Sequence, residues 1–212
     1  QGDYTPQLLL NQLTDLITAL GLQDTLTIIS MSMGSMVAID YATQNPGQVK
    51  SLVMFDPAIT GDFQPNKLLK LPIVSDLLMT LYWYPRALEN QRKEFVDMQV
   101  FDSYARRLAY FMNMEGYKHM NHSTWMHTLN QNKSAAFATL KTNSVFLIYG
   151  AQDPYFSSDQ AAKLKSLLPR MESASIADAG HMPHYERPDV VNPMLLAFLE
   201  RTNSLPATKM QE

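Results

Sequence analysis

The fold of this chain is decided by the nine-residue segment Thr27-Ile28-Ile29-Ser30-Met31-Ser32-Met33-Gly34-Ser35. Its first three residues are β-branched, as is typical of a buried strand. Residues 36–42 are mostly apolar and predict a helix, and the turn residues Asn45, Pro46 and Gly47 predict where that helix ends. The segment therefore predicts a strand, a tight turn and a helix in immediate succession.

The predicted turn matches the small-x-Ser-x-Gly pattern of a nucleophile elbow, with Ser32 at its centre. Such a turn places the serine hydroxyl at the tip of the strand, beside the N-terminus of the following helix. The residues two positions before and after must be small because the chain folds back on itself, and here they are Ser30 and Gly34. Serine in place of the usual first glycine adds a little crowding. Because the same strand-turn-helix also occurs as plain scaffold, the motif alone leaves catalysis open.

Composition limits the classes of protein and partner. With 212 residues, 46% of them hydrophobic, the chain is predicted to form one domain, or one domain with an insert. The net charge of -3 and the lack of a long basic run argue against nucleic acid or an anionic membrane as a partner. The absence of cysteine excludes disulfides and thiolate chemistry. No apolar run approaches the roughly 18 residues of a membrane span and no segment has a signal-peptide pattern, while cytoplasmic and periplasmic locations both stay open.

Helix and strand patterns alternate on both sides of the middle of the chain. Thr5 and Pro6 predict a helix start, and Ser158 with Asp159 predicts the cap of another helix. Residues 202–212 predict a polar, frayed tail. The predicted strands are 27–29, 49–55, 144–150 and 173–176, and the predicted helices after the first are 36–42, 160–168 and 190–199. This order is typical of an α/β fold, a mostly parallel sheet covered by helices on both faces.

The middle of the chain has a different pattern. From about Phe63 to Ala138 no strand-like run appears, and Pro72 and Pro85 are expected to break its helices. The length favours a helical cap, because an ordinary crossover needs only about a dozen residues. We therefore predict core segments at 1–61 and 139–212, separated by an insert and return helix at 62–138. An apolar and aromatic set in this insert either lines an acyl pocket or packs as core: Tyr82, Trp83, Tyr84, Phe111, Met112 and Met114.

Three chemically suited residues follow predicted strands. A serine hydroxyl needs a histidine base to act as a nucleophile near neutral pH, and the histidine needs a carboxylate to orient it. Ser32, Asp153 and His181 each lie at the end of a predicted strand or in the loop after it, where functional groups of a parallel sheet gather. Their order, Ser then Asp then His, is a known triad order.

Other residues compete for these roles. Asp56 also follows a predicted strand, although it leads directly into the insert, and His184 is close to His181. We favour Asp153 and His181, and expect His184 to pack or face solvent. The insert histidines, His119, His122 and His127, lie at short spacings without an acidic or cysteine companion, so we expect surface or packing roles rather than a metal site.

Together these segments resemble the α/β-hydrolase superfamily, specifically its capped esterase and lipase-like members. The resemblance rests on residues 30–35, 51–58, 147–154 and 179–188, and spans nearly the whole chain outside the insert. It implies Ser32 as nucleophile, His181 as general base, Asp153 as the orienting acid and the Met33 N–H as one oxyanion donor. It also implies that neither a metal nor an organic cofactor takes part.

One departure from the family pattern concerns the N-terminus. Only 31 residues precede Ser32, where family members carry the first strands and the loop that supplies a second oxyanion donor. We therefore expect the chain to be a C-terminal portion of a longer protein, whose N-terminal part is a separate segment or chain, is removed by processing or has been lost. Residues 1–212 alone are expected to be poorly active or to need a complementing N-terminal piece.

The resemblance predicts a serine hydrolase that cleaves small-molecule carboxylic esters with a small or medium apolar acyl group. The alternatives are a C–C bond hydrolase or acyltransferase of the same fold, and a non-catalytic, ligand-binding homologue.

Overall fold

Four parallel strands form the centre of the computed structural model, which describes residues 2–22, 25–62 and 71–204. Their order in the sheet is the order in the chain, and each neighbouring pair is parallel. The strands are β1 (Leu26–Met31), β2 (Val49–Phe55), β3 (Ser144–Gly150) and β4 (Glu172–Ile176). All four predicted strands are confirmed, and their carboxyl ends share one edge of the sheet.

Helices connect the strands. They are α1 (Pro6–Ala19), α2 (Gly34–Gln44), α3 (Pro72–Leu78), α4 (Ala87–Arg92), α5 (Met98–Met112), α6 (Tyr117–His127), α7 (Ser134–Ala138), α8 (Ser158–Leu167), α9 (Pro183–Glu186) and α10 (Pro188–Ser204). No helix in the described ranges is long and apolar enough to cross a membrane.

The core lies on both faces of the sheet because alternate strand residues point to opposite sides. Leu52 and Leu147 pack with side chains of α1, α2, α7 and α8 on one face. Val53 and Ile148 pack with α10 on the other face. The two central strands are therefore almost entirely buried, whereas Ile29 on the edge strand β1 is half exposed. The predicted sheet with helices on both faces is confirmed.

The insert between β2 and β3 is helical over the residues described, 71–138. Pro72 begins α3, and a π-helical turn at Met79–Trp83 and a 3₁₀ turn at Tyr84–Arg86 lead from α3 into α4. Pro85 therefore lies where the α-helical pattern is interrupted, as expected for a residue without a backbone N–H. The part of the predicted insert at 63–70 lies outside the described residues, and the division into three segments stays a proposal.

Two details of the prediction are corrected. Ser157 caps α8, not Ser158 or Asp159: its hydroxyl accepts from the Gln160 N–H at 3.3 Å, and the Gln160 side chain accepts from the Ser157 N–H at 2.7 Å. This reciprocal pair satisfies two N–H groups that a helix start leaves unpaired. Thr202 is buried in α10 rather than part of a frayed tail, and residues 205–212 lie outside the described part.

Candidate active site

Ser32 lies in the tight turn between β1 and α2 with a φ of 47°, a left-handed conformation that L-residues rarely adopt. Two backbone hydrogen bonds hold it there, from the Ser32 N–H to the Phe55 carbonyl at 2.8 Å and from the Ala58 N–H to the Ser32 carbonyl at 3.1 Å. The nearby Ser30 hydroxyl donates to the Val53 carbonyl at 3.2 Å, so the serine at the usual glycine position has a partner of its own. The strained turn is thus fixed by its neighbours, as a positioned hydroxyl requires.

The structure brings the three sequence-predicted residues together in one hydrogen-bonded row. The Ser32 Oγ lies 3.0 Å from the His181 Nε2, and the His181 Nδ1 lies 2.7 Å from the Asp153 Oδ2. Ser32 follows β1 and His181, 149 positions later in the chain, follows β4; the two meet because both loops lie at the carboxyl ends of the parallel strands. The carboxylate that contacts the imidazole is Asp153, and Asp56 lies further along the same row.

Asp153 is suited to stay ionised. Its side chain is buried, which alone would raise the pKa of the carboxyl, but hydrogen bonds with His181 and Asp56 outweigh burial and hold that pKa below its ordinary value. The Asp153 Oδ1 also accepts the Tyr155 N–H at 2.7 Å. A charged Asp153 can therefore orient His181 and stabilise its protonated form.

Met33 occupies the position just before α2. Backbone N–H groups at a helix start have no partner inside the helix and carry the positive end of the helix dipole. The Met33 N–H is thus placed beside Ser32 where an oxyanion donor is needed, although this role stays a prediction.

The sequence prediction missed Glu186, which binds the histidine loop to the insert. Its Oε2 accepts the Gly180 N–H at 2.6 Å, and its Oε1 accepts the Val96 and Asp97 N–H groups at 2.6 and 2.8 Å. Gly180 is required here because a Cβ at that position would lie 2.1 Å from the Glu94 carbonyl oxygen. The only sequence signal was an acidic residue five positions after His181, and nothing in the pattern indicated its partners.

Glu94 was also missed. Its carbonyl accepts the His181 N–H at 2.7 Å, and its buried carboxyl receives hydrogen bonds from Gln91 and Tyr155. Burial raises the pKa of Glu94 to about 7, with the Asp153 charge adding to the rise and the His181 charge opposing it. The Tyr155 ring lies edge-on to His181, with ring centroids 5.3 Å apart. A titrating carboxyl therefore lies close to the imidazole.

The remaining histidines lie elsewhere. The His184 ring packs against Phe55 with centroids 4.7 Å apart, and burial, together with the His181 charge, lowers its pKa. His119 bonds the Gly2 carbonyl, His122 bonds the Ser75 hydroxyl, and His127 lies 3.7 Å from Asp3. The three insert histidines thus have three separate partners.

Metal-ligating atoms of Asp56, Asp153 and His181 lie within 4.8 Å of one another. Both ring nitrogens of His181 are already bonded, to Ser32 and to Asp153. A cation bound by all three residues would displace one of those bonds, so the arrangement fits a hydrogen-bond relay better than a metal centre.

The predicted pocket residues lie in the insert with different exposures. Tyr82 and Phe111 are 61% and 51% exposed. Trp83 packs edge-to-face against Trp125, and the Met112 carbonyl accepts the Tyr84 hydroxyl. Their role in binding substrate stays a prediction.

Comparison with known proteins gives consistent matches. A family model described as "alpha/beta hydrolase fold" matches residues 6–188. The chain is 27% identical over 198 residues to a 2-hydroxy-6-oxononadienedioate/2-hydroxy-6-oxononatrienedioate hydrolase 1 of Dechloromonas aromatica, covering 88% of this chain and 66% of that protein. It is 23% identical over 214 residues to a cis-3-alkyl-4-alkyloxetan-2-one decarboxylase of Xanthomonas campestris pv. campestris, covering 94% and 71%. The chain thus spans about two thirds of the length of these relatives.

Among solved structures, a thermophilic esterase from Thermogutta terrifontis superposes with a TM-score of 0.75 at 17% identity. The superposition covers 96% of this chain and 75% of the esterase chain. At this identity the likeness concerns the fold, and it agrees with the family match.

Proposed function

This chain belongs to the α/β-hydrolase fold family, and from that premise we propose that it is a serine hydrolase of carboxylic esters. In this proposal Ser32 is the nucleophile, His181 the general base and Asp153 the acid that orients His181. The observation that carries it is the unbroken row from the Ser32 Oγ through both ring nitrogens of His181 to the Asp153 Oδ2. A row of this kind makes a serine hydroxyl nucleophilic near neutral pH.

In the first half-reaction the Ser32 Oγ attacks the ester carbonyl carbon and its proton passes to the His181 Nε2. The carbonyl oxygen becomes an oxyanion, for which the Met33 N–H is one proposed donor. Asp153 stabilises the imidazolium. The tetrahedral intermediate then expels the alcohol, which takes the proton from His181, and an ester on Ser32 remains.

In the second half-reaction His181 removes a proton from water as the water attacks that ester. The new tetrahedral intermediate collapses, Ser32 recovers its proton from His181, and the carboxylic acid leaves. All bonds and protons are accounted for by Ser32, His181 and water.

The proposed substrate is a small-molecule ester with a small to medium apolar acyl group. Support comes from the apolar and aromatic character of the insert, where Tyr82, Trp83, Phe111 and Met112 are the proposed pocket residues. Truncating any of these side chains to alanine tests the assignment through KM for a series of acyl lengths, and unchanged chain-length preference in all four variants would contradict it.

The test of the proposed nucleophile uses a fluorophosphonate probe and p-nitrophenyl butyrate. Wild type is expected to form a covalent adduct and Ser32→Ala to form none, because the attacking oxygen is removed. Ser30→Ala is the matched control, since this serine is in the same strand end but bonds the Val53 carbonyl. Adduct formation by Ser32→Ala would overturn the proposal. No adduct in folded wild type would favour the ligand-binding homologue.

A C–C bond hydrolase is the second candidate. It is favoured by the relative from Dechloromonas aromatica, whose name describes the hydrolysis of an oxo-dicarboxylate, a compound without an ester bond. Comparing kcat/KM for p-nitrophenyl butyrate and for a 2-hydroxy-6-oxo-dienoate separates the two candidates. The same assays on the purified chain test the expectation that it is poorly active alone, which full activity as a monomer would contradict.

A further inference from the structure

Asp56 is a buried carboxyl that the proposed mechanism does not use. It directly follows β2, has a φ of 41° and is 1% exposed. Its backbone N–H donates to the Ile148 carbonyl at 3.1 Å, and its Oδ1 accepts the Gly150 N–H at 3.0 Å. These two bonds anchor the residue to β3, just beyond the end of β2.

The second carboxyl oxygen of Asp56, Oδ2, is buried. Among the described residues no group donates to the Asp56 Oδ2, although the atom is shut off from solvent. A buried acceptor in this state destabilises the fold, and does so more strongly if it carries a charge. The orphaned oxygen therefore needs an explanation.

The neighbour of Asp56 is Asp153: one carboxyl oxygen of each residue and one ring nitrogen of His181 all lie within 4.8 Å of one another. Two adjacent carboxyls cannot both ionise without a large penalty. Asp153 bonds His181, which favours the ionised form of the Asp153 carboxyl. The charged groups that act on Asp56 are instead the two acids Asp153 and Glu186, which disfavour its ionised form. Burial, the hydrogen bond with Asp153 and its charge raise the pKa of Asp56 to about 10.

We propose that Asp56 is a positioning residue, whose protonated Oδ2 donates a hydrogen bond to the Asp153 carboxylate and holds it in line with His181. This proposal rests on the proposed function of the Ser32 row. With the proton on Asp56, the polar atoms of both carboxyls are satisfied. The Asp56 Oδ1 accepts from Gly150, its Oδ2 donates to Asp153, and the two Asp153 oxygens accept from Tyr155 and His181.

The sharpest test is the pair Asp56→Asn and Asp153→Asn, assayed with p-nitrophenyl butyrate. An asparagine at position 56 has the shape of a protonated aspartic acid, since its amide group can donate to Asp153 and its oxygen can accept from Gly150. We expect the kcat of Asp56→Asn to lie within about threefold of wild type. This change is smaller than the loss expected when one hydrogen bond to a charged group is removed. In Asp153→Asn, kcat should fall by a factor on the order of 10⁴, as it does when the acid of a catalytic triad is replaced by asparagine. A comparable loss in Asp56→Asn would overturn the proposal, because it would mean that an ionised Asp56 is needed.

A third variant removes the donor. Asp56→Leu keeps the branching of the side chain, although it is larger, but cannot bond Asp153, so kcat should fall about tenfold or more with KM unchanged, the effect of one lost hydrogen bond to a charged group. If Asp56 positions Asp153, kcat should be kept in Asp56→Asn and lost in Asp56→Leu. A merely structural residue would change the midpoint of unfolding without this difference in kcat between the two variants. Wild-type kcat in Asp56→Leu would contradict the proposal.

Protonation is measurable without turnover. The infrared difference spectrum of wild type minus Asp56→Asn at neutral pH should contain the C=O band of a protonated carboxylic acid. A carboxylate band in its place would refute the proposal even if the enzyme is fully active. If wild type instead shows the acid band but Ser32 does not react with the fluorophosphonate, the proposed function fails while the protonated Asp56 stands.

Discussion

The central strands of the sheet and the surface of the insert differ in how far their apolar side chains are exposed to solvent. In β2 and β3 such residues as Leu52 and Leu147 are completely buried between two layers of helices. In the insert, Leu81 is 65% exposed and Tyr82 and Tyr110 are similarly open. Because burial of apolar surface is the largest favourable contribution to folding, these strand side chains are expected to contribute more to the free energy of unfolding than the exposed insert side chains do.

The two regions meet beside the candidate catalytic histidine. Glu186 and the Glu94 carbonyl join the loop at 93–97 to the segment that carries His181. The aromatic pair Phe95 and Phe101 packs with Met182 at the same place. We call this contact between residues 93–97 and the His181 segment the seam; Phe95, Phe101 and Met182 are buried in it.

The largest expected effect contrasts a central strand with the insert surface. Leu147→Ala removes a completely buried side chain and should lower the free energy of unfolding by about 4 kcal/mol, through lost burial and a cavity. Leu81→Ala is the matched control and should change it by less than about 0.5 kcal/mol. Urea unfolding measures both, and equal effects would break the comparison.

A slightly smaller effect is expected at the seam. Glu186→Ala leaves the N–H groups of Gly180, Val96 and Asp97 without their acceptor, at a cost of about 3 kcal/mol in unfolding free energy. Fluorophosphonate labelling should slow as well, because the His181 loop loses its anchor. Glu89→Ala removes an exposed glutamate of the insert and serves as control. If both variants label at the wild-type rate, the seam does not position His181.

Glu94, which lies in the seam, is expected to make the stability of the folded protein depend on pH. Because its pKa is raised to about 7, the folded protein binds this proton more tightly than the unfolded chain does. Its contribution to stability is full below the ordinary carboxyl pKa near 4.5 and is lost as the pH rises through about 7. The stability of wild type relative to Glu94→Gln should therefore fall by about 3 kcal/mol between pH 4 and pH 8.

Thermal or urea unfolding at several pH values measures this difference, with Glu89→Gln as the exposed control. His181, Asp153 and Tyr155 surround Glu94 and are unchanged in both variants. A pH-independent difference between wild type and Glu94→Gln would show that Glu94 does not titrate in this range.

The smallest effect concerns the start of α8, on the sheet side of the molecule. Ser157→Ala removes the capping hydroxyl and should cost about 1 kcal/mol of unfolding free energy. Ser158→Ala, one residue further into the helix, should change it by less than about 0.5 kcal/mol. A larger loss in Ser158→Ala than in Ser157→Ala would show that Ser158 caps α8, as the sequence pattern predicted.

Local patterns were sufficient to predict much of the fold. The β-branched run at 27–29, the small residues around Ser32 and the alternation of helix and strand depend on neighbours within a few positions. Parallel topology then places Asp153 and His181 at the same sheet edge as Ser32, so these residues were predictable as candidates for the row, with Asp56 competing for the carboxylate position. The cap of α8 was misplaced by one residue because Ser157, Ser158 and Asp159 are all acceptable caps by composition.

The sequence by itself thus determined the strand-turn-helix, the order of the candidate triad and the existence of the insert, because each is set by short-range pattern. Only the tertiary structure decided that Asp153, and not Asp56, faces His181, and that Glu186 and Glu94 support the histidine loop. These contacts join residues far apart in the chain, 28 positions for Asp153 with His181, 90 for Val96 with Glu186 and 94 for Gly150 with Asp56. A carboxyl's role at such distances depends on which donors and charges the fold brings to it, and those are properties of packing.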